Sequence, residues 1–126
     1  PFHGDCLEGL ASGPAMAARW GAPAESLPPD HVAWTLEAHY LALALAGFVC
    51  TLSPERIVIG GGVMAEPTLL PRVREMLATL LNGYVQAPAL LDDLDRYVVP
   101  PALGARAGVI GGLVLAAQAR TRGPRA

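Results

Sequence analysis

The sequence predicts an α/β fold in the element order α-α-β-α-β-α, and three observations carry that expectation. Two short β-branched runs, IVI at residues 57–59 and YVV at residues 97–99, end in glycine and proline respectively, as strands do when they run into turns. Between them, residues 67–81 place Leu69, Val73, Met76, Leu77 and Leu80 on one helical stripe, with Arg72, Arg74 and Glu75 off it. Two strands joined by a helix form a right-handed βαβ crossover. Two strands alone do not cover so many apolar helices, so more sheet is expected upstream of Pro1.

The remaining elements follow in order. LEGLAS, after the opening PFHGDC, makes a turn or two of helix that Gly13 and Pro14 interrupt. Ser12 caps a second short helix through Trp20, with Pro14 in its first turn, where a missing N–H costs nothing. GAPAESLPPD is a linker. Residues 31–52 are apolar on nearly every side, which predicts a helix covered by more than one neighbour. Asn82-Gly83 stops the amphipathic helix, and a loop through DDLD leads to the second strand. Residues 106–120 form the last helix; its Gly108, Gly111 and Gly112 predict close packing against a strand or a ligand. ARTRGPRA reads as a frayed terminus.

Composition narrows the function. The 126 residues are 52% hydrophobic and 16% charged, enough to fill the core of one small domain. A net charge of −2, with nine basic residues scattered from Arg19 to Arg125, supplies no cationic stripe for nucleic acid. All nine are arginine, so no Walker, Schiff-base or general-base lysine exists in the chain. Cys6 and Cys50 make no disulfide framework, and a reducing cytoplasm is the expected compartment. The runs YLALALAGFVCTL and AGVIGGLVLAAQA fall short of the roughly 20 apolar residues that a bilayer needs, and read as buried helices with no membrane partner. A chain beginning at Pro1 is expected to be a fragment or a processed piece.

Four features could carry chemistry. The H-x-x-C spacing of His3 and Cys6 suits one side of a tetrahedral zinc site, which normally has four ligands. Asp5, His31, His39 and Cys50 lack ligand spacing; the two histidines receive no role, and Cys50 reads as a packed core thiol. Gly60, Gly61 and Gly62 form either a tight strand-to-helix turn or a wall against which a nucleotide can lie. Gly104, Ala107 and Gly108 repeat that pattern after the second strand, and two such turns at adjacent strand ends would make one crevice. Glu8 is either a solvated carboxylate at a helix start or an acceptor for vicinal sugar hydroxyls.

HGDCLEGLASGPA, LSPERIVIGGGVM and YVVPPALGARAGVIGGLVLA, in this order, resemble the C-terminal half of bacterial fructokinases of the ROK family, which comprises repressors, open reading frames and sugar kinases. The resemblance implies an incomplete actin/hexokinase-like, ribonuclease H-like ATPase domain. Residues 1–13 would hold part of a zinc loop and a short helix, residues 31–52 a long buried helix, and residues 55–120 the β-α-β-α nucleotide side. The family's loop resembles C-P-Y-H-G-D-C with another His upstream, so His3 and Cys6 correspond to half of a structural Zn²⁺ site, with Phe2 where Tyr is usual. Glu8 matches the family's sugar-contacting Glu. Gly60, Gly61 and Gly62, with Val63 and Met64, match its adenosine-binding turn, and Gly104, Ala107 and Gly108 match the second nucleotide-side turn.

What the resemblance implies for the whole protein is an ATP- and Mg²⁺-dependent transferase acting on the 6-hydroxyl of a hexose, with fructose favoured, in a homodimer. The phosphate loop, the general base and the E-x-G-H sugar motif lie upstream in the family. No catalytic residue is therefore expected in this chain, nor turnover by the chain alone. The alternatives are a kinase for mannose, glucose or N-acetylmannosamine, a sugar-sensing repressor with an upstream DNA-binding element, and an inert α/β fragment. The HGDC loop argues against the repressor, whose family members more often carry C-x-C-G.

Overall fold

A computed structural model describes residues 3–122. Pro1, Phe2 and residues 123–126 lie outside the described residues, and with them the Phe-for-Tyr difference and the end of the tail. The elements are α1 (Leu7–Ala11), α2 (Gly13–Trp20), α3 (Val32–Leu52), β1 (Ile57–Val58), α4 (Leu69–Leu81), α5 (Pro88–Leu91), α6 (Leu94–Tyr97), β2 (Val98–Val99) and α7 (Ala107–Arg122). Single 3-10 turns occupy Ala24–Ser26, Val63–Ala65 and Gly104–Arg106.

Local chemistry sets most boundaries. Ser12 caps α2 by accepting from the Ala15 N–H at 3.3 Å, and Gly21, at φ 70°, ends it. His31 caps α3, its Nδ1 accepting from the Ala33 N–H at 3.1 Å. Asn82, at φ 44°, stops α4 as the Asn-Gly pair predicts.

β1 and β2 pair in parallel, Ile57 with Val98 and Val58 with Val99. The Ile59 N–H extends the pairing by donating to the Val99 carbonyl at 3.0 Å. Tyr97 closes α6 instead of opening the strand, because its N–H donates to the Asp93 carbonyl; its hydroxyl donates to the Pro54 carbonyl at 2.7 Å. The expected loop between α4 and the second strand contains α5, which Pro88 starts, and α6.

Arg74 pins α4 to the strand. Its Nε donates to the Val98 carbonyl at 2.9 Å, and its guanidinium pairs with the Asp95 carboxylate at 2.8 Å.

The core forms where α3 meets α4. Ala33, Trp34, Ala38, Ala42, Leu45 and Val49 of α3 bury against Leu69, Val73, Leu77 and Leu81 of α4, with Met16, Leu90, Tyr97 and Val98 completing the cluster. Five expectations change here. α3 is covered along one stripe only: Leu43, Phe48 (44% exposed) and Leu52 (71%) face outward among the described residues. Cys50 is exposed, since it stands one residue, about 100° of helix, beyond the buried Val49. At 21 residues α3 reaches a membrane-spanning length that the shorter run had not suggested, and one stripe of it is buried against α4. In α7, a Cβ added at Gly108, Gly111 or Gly112 would meet nothing within 4 Å, so no close packing exists there among the described residues. α7 also runs through Arg122, into the tail read as frayed.

Candidate functional site

Parallel neighbours send their C-terminal ends to the same edge, so the turns after β1 and β2 come to lie side by side. Between them is a pocket of ≈ 720 Å³. Of the glycine-turn residues singled out from sequence, Gly60, Gly61, Gly62, Met64, Gly104, Ala107 and Gly108 line it, whereas Val63 faces the smaller clefts beside it. Ile59, Leu70, Pro100 and Pro101 complete most of a largely apolar wall.

Gly61 sits at φ +118° and Gly104 at φ +54°, conformations that L side chains rarely adopt. Gly60 is favoured for a different reason: a Cβ there would stand 3.0 Å from Pro101 Cγ, and the proline ring would have to give by a few tenths of an ångström. Among the described residues, no hydrogen bond is donated by the N–H groups of residues 60–62. The pocket thus combines apolar, side-chain-free walls with spare backbone donors, a combination that suits a flat heteroaromatic group carrying an anionic tail.

A smaller cleft of ≈ 250 Å³ lies across the same turn. It shares Ile59, Gly60, Gly61, Gly62 and Met64 with the larger pocket, and its other wall brings Glu8, Ser12, Gly13 and Glu37. Glu8, exposed in the first turn of α1, therefore stands on the same cleft as the glycine turn, although more than fifty residues separate them in sequence.

Glu37 was missed by sequence reasoning. It is 1% exposed, and neither carboxyl oxygen has a hydrogen-bond partner. The available signal was positional: Ala33, Trp34, Glu37 and Ala38 share the buried stripe of α3, and a lone carboxylate at such spacing is conspicuous. Burial pushes its pKa up to about 7, with the Arg19 charge pulling the other way. Arg19 itself donates to the Leu10 carbonyl at 3.0 Å and lies 5.3 Å from the Tyr40 ring centroid.

An acid whose pKa is raised on folding favours the folded state most when protonated. Stability from Glu37 is therefore full below its ordinary value of 4.5 and is lost as pH rises toward about 7. Between those pH values Tm is expected to fall by roughly 10 °C more in the wild type than in Glu37→Gln, measured by thermal melts. Equal slopes would show that Glu37 does not titrate in that window.

Just before α1, at the end that carries Glu8, Cys6 Sγ lies 3.5 Å from His3 Nδ1, and both residues are exposed. Hydrogen bonding from the Gly9 backbone, and then from the His3 side chain, lowers the Cys6 thiol pKa, which favours the thiolate that metals bind. A Cβ at Gly9 would collide with the carbonyl oxygens of His3 and Gly4, so this tight turn needs glycine there. The pair offers two soft or borderline donors that fit half of a zinc site. No group of three or more potential ligands is assembled among the described residues; Asp5, His31, His39 and Cys50 do not join the pair.

The fold and its paired glycine turns define an α/β protein with a crevice at the strand ends. The chain belongs to the ROK family, whose profile matches residues 1–119. It is 47% identical over 119 residues to a Bacillus subtilis (strain 168) protein provisionally named a fructokinase, covering 94% of this chain and 40% of that protein. It is 41% identical to a fructokinase of Pediococcus pentosaceus (92% and 39% covered) and 40% identical to one of Streptococcus mutans (97% and 41% covered). The chain spans about 40% of the length of these relatives.

Proposed function

We propose that this chain forms the nucleotide-facing part of a ROK sugar kinase that transfers a phosphoryl group from ATP to the 6-hydroxyl of a hexose, fructose first among candidates. The observation that supports this most is the sharing of one glycine turn by two clefts, one apolar and side-chain-free, the other carrying Glu8. Such an arrangement seats two different ligands against opposite faces of a single wall.

In the larger pocket, residues 60–62 and Gly104 let a planar base approach the backbone, Met64 and Pro101 supply apolar contact, and Ala107 and Gly108 keep the second wall low. Across the turn, Glu8 accepts hydrogen bonds from two neighbouring sugar hydroxyls and orients the ring. Bound ATP with Mg²⁺ would supply the transferable phosphoryl group and neutralise its charge. The base that takes the 6-hydroxyl proton is assigned to a segment upstream of Pro1, so this chain alone should show no turnover. His3 and Cys6 would hold Zn²⁺ with two further ligands from the same upstream segment, stiffening the turn that leads into Glu8. The outward apolar face of α3, with Leu43, Phe48 and Leu52, would meet another domain or a second subunit. A cytoplasmic location goes with this reading.

The test is a coupled ADP-release assay with a panel of hexoses, on the complete gene product and on this chain as control. Fructose-selective turnover in the complete product alone is expected. No turnover with any sugar, in a folded protein, would replace the kinase by a sugar sensor. Elemental analysis of the same protein should give one Zn²⁺ per chain, lost in the His3→Ala, Cys6→Ala double variant; unchanged zinc would remove both residues from the site.

A further inference from the structure

Every side chain on the wall of the larger pocket is apolar. Among the described residues, Ile59, Met64, Leu70, Pro100 and Pro101 are the only lining side chains larger than a methyl group, and the rest of the wall is alanine and glycine. Backbone donors are scarce on its second side. Pro100 and Pro101 carry no N–H, and those of Gly104 and Ala107 are taken up by the Pro101 and Gly104 carbonyls. A base seated here meets surfaces that grip its faces and no side chain of this wall that reads its edge. We propose that the pocket accepts purine nucleotides without selecting among adenine, guanine and hypoxanthine, so that the phosphoryl donor is a purine nucleoside triphosphate in general and not ATP alone; this rests on the kinase reading.

Chemistry and exposure both favour tolerance. The three purines share one two-ring outline and differ only in the groups at C2 and C6. An apolar wall separates such small differences by about 10- to 200-fold at most, whereas a site built to hydrogen-bond a group rejects its absence by roughly 10⁴–10⁵. Desolvation adds little selectivity. Gly60, Gly61, Gly62, Gly104 and Gly108 are exposed, so the pocket opens to water, and an exocyclic amine or carbonyl on the base keeps its hydration. Size is still sensed. At ≈ 720 Å³ the pocket falls within the roughly 300–1,000 Å³ of small-molecule sites, and a two-ring base covers more of its apolar wall than a pyrimidine does.

Calorimetric titration of the complete gene product with ADP, GDP, IDP, CDP and UDP tests this. The three purine nucleotides should bind with Kd values within about thirtyfold of one another, and the two pyrimidine nucleotides at least about fivefold more weakly than ADP. Met64→Ala, which trims the shared wall, should weaken ADP, GDP and IDP by one common factor of about five. A gap of more than about thirtyfold between ADP and either other purine would show that the base edge is read, and would overturn the proposal. So would CDP and UDP binding as tightly as ADP, or Met64→Ala leaving the purine nucleotides unchanged, since the base would then not lie against this wall. If no nucleotide binds, the kinase reading falls and the proposal with it; selective binding of ADP removes the base tolerance alone.

Discussion

Replacing Gly61 with valine is expected to weaken ADP binding by the complete gene product at least tenfold while the fold survives. The two effects separate because of where the cost arises. A Cβ at residue 61 meets nothing within 4 Å, so valine brings no collision. The backbone, however, stands at φ +118°, where a β-branched residue is an outlier. Holding that conformation costs about 1–3 kcal/mol, so the turn relaxes toward a common one and both clefts lose their shared wall. Calorimetric titration with ADP reads the loss. Gly111→Ala is the control: it lies in α7 with open space around it, does not line the pocket, and should match wild type or be slightly more stable. Equal ADP affinity in Gly61→Val and Gly111→Ala would show that the conformation of residue 61 does not matter to binding.

If His3 and Cys6 hold zinc as proposed, Gly9→Ala should strip it from the protein without replacing either of them. The added methyl group would lie closer to the carbonyl oxygens of His3 and Gly4 than any real Cβ does, and backbone atoms cannot swing aside as a side-chain tip can. The turn from His3 to Cys6 must open, carrying Nδ1 and Sγ away from their 3.5 Å separation. Zinc content is expected to fall from one per chain to near zero, with Cys6 becoming reactive toward thiol reagents. Retention of full zinc in Gly9→Ala would mean that the metal does not depend on this turn.

Much of this architecture is legible because it is local. The stripe through Leu69, Val73 and Leu77 fixes α4 and its buried face, Ser12 and Asn82 mark helix ends with their own side chains or backbone tolerance, and two β-branched runs before glycine and proline locate both strands. Parallel pairing then follows from one crossover, and that alone brings Gly61 and Gly104 to one pocket. What escaped detection depends on neighbours distant in sequence. Composition makes α3 look apolar all round, but only packing against α4 decides that Val49 is inside and Cys50 outside. Glycines on α7 look like close-packing positions, yet nothing among the described residues approaches them. Glu37 sits on a core stripe, and only the packed structure shows both its oxygens buried without a partner.

The assignment of the two clefts to nucleotide and sugar is tested most directly by titrating the complete gene product with ADP and then fructose, following the backbone amides of Gly60, Gly61, Gly62, Gly104, Gly108 and Glu8 by NMR. ADP should shift the five glycine amides together, and fructose should then shift Glu8 and residues 60–62 while leaving Gly104 and Gly108 in place. Binding of ADP with no change at the glycine turns, or fructose acting at Gly104 and Gly108 and not at Glu8, would contradict the assignment.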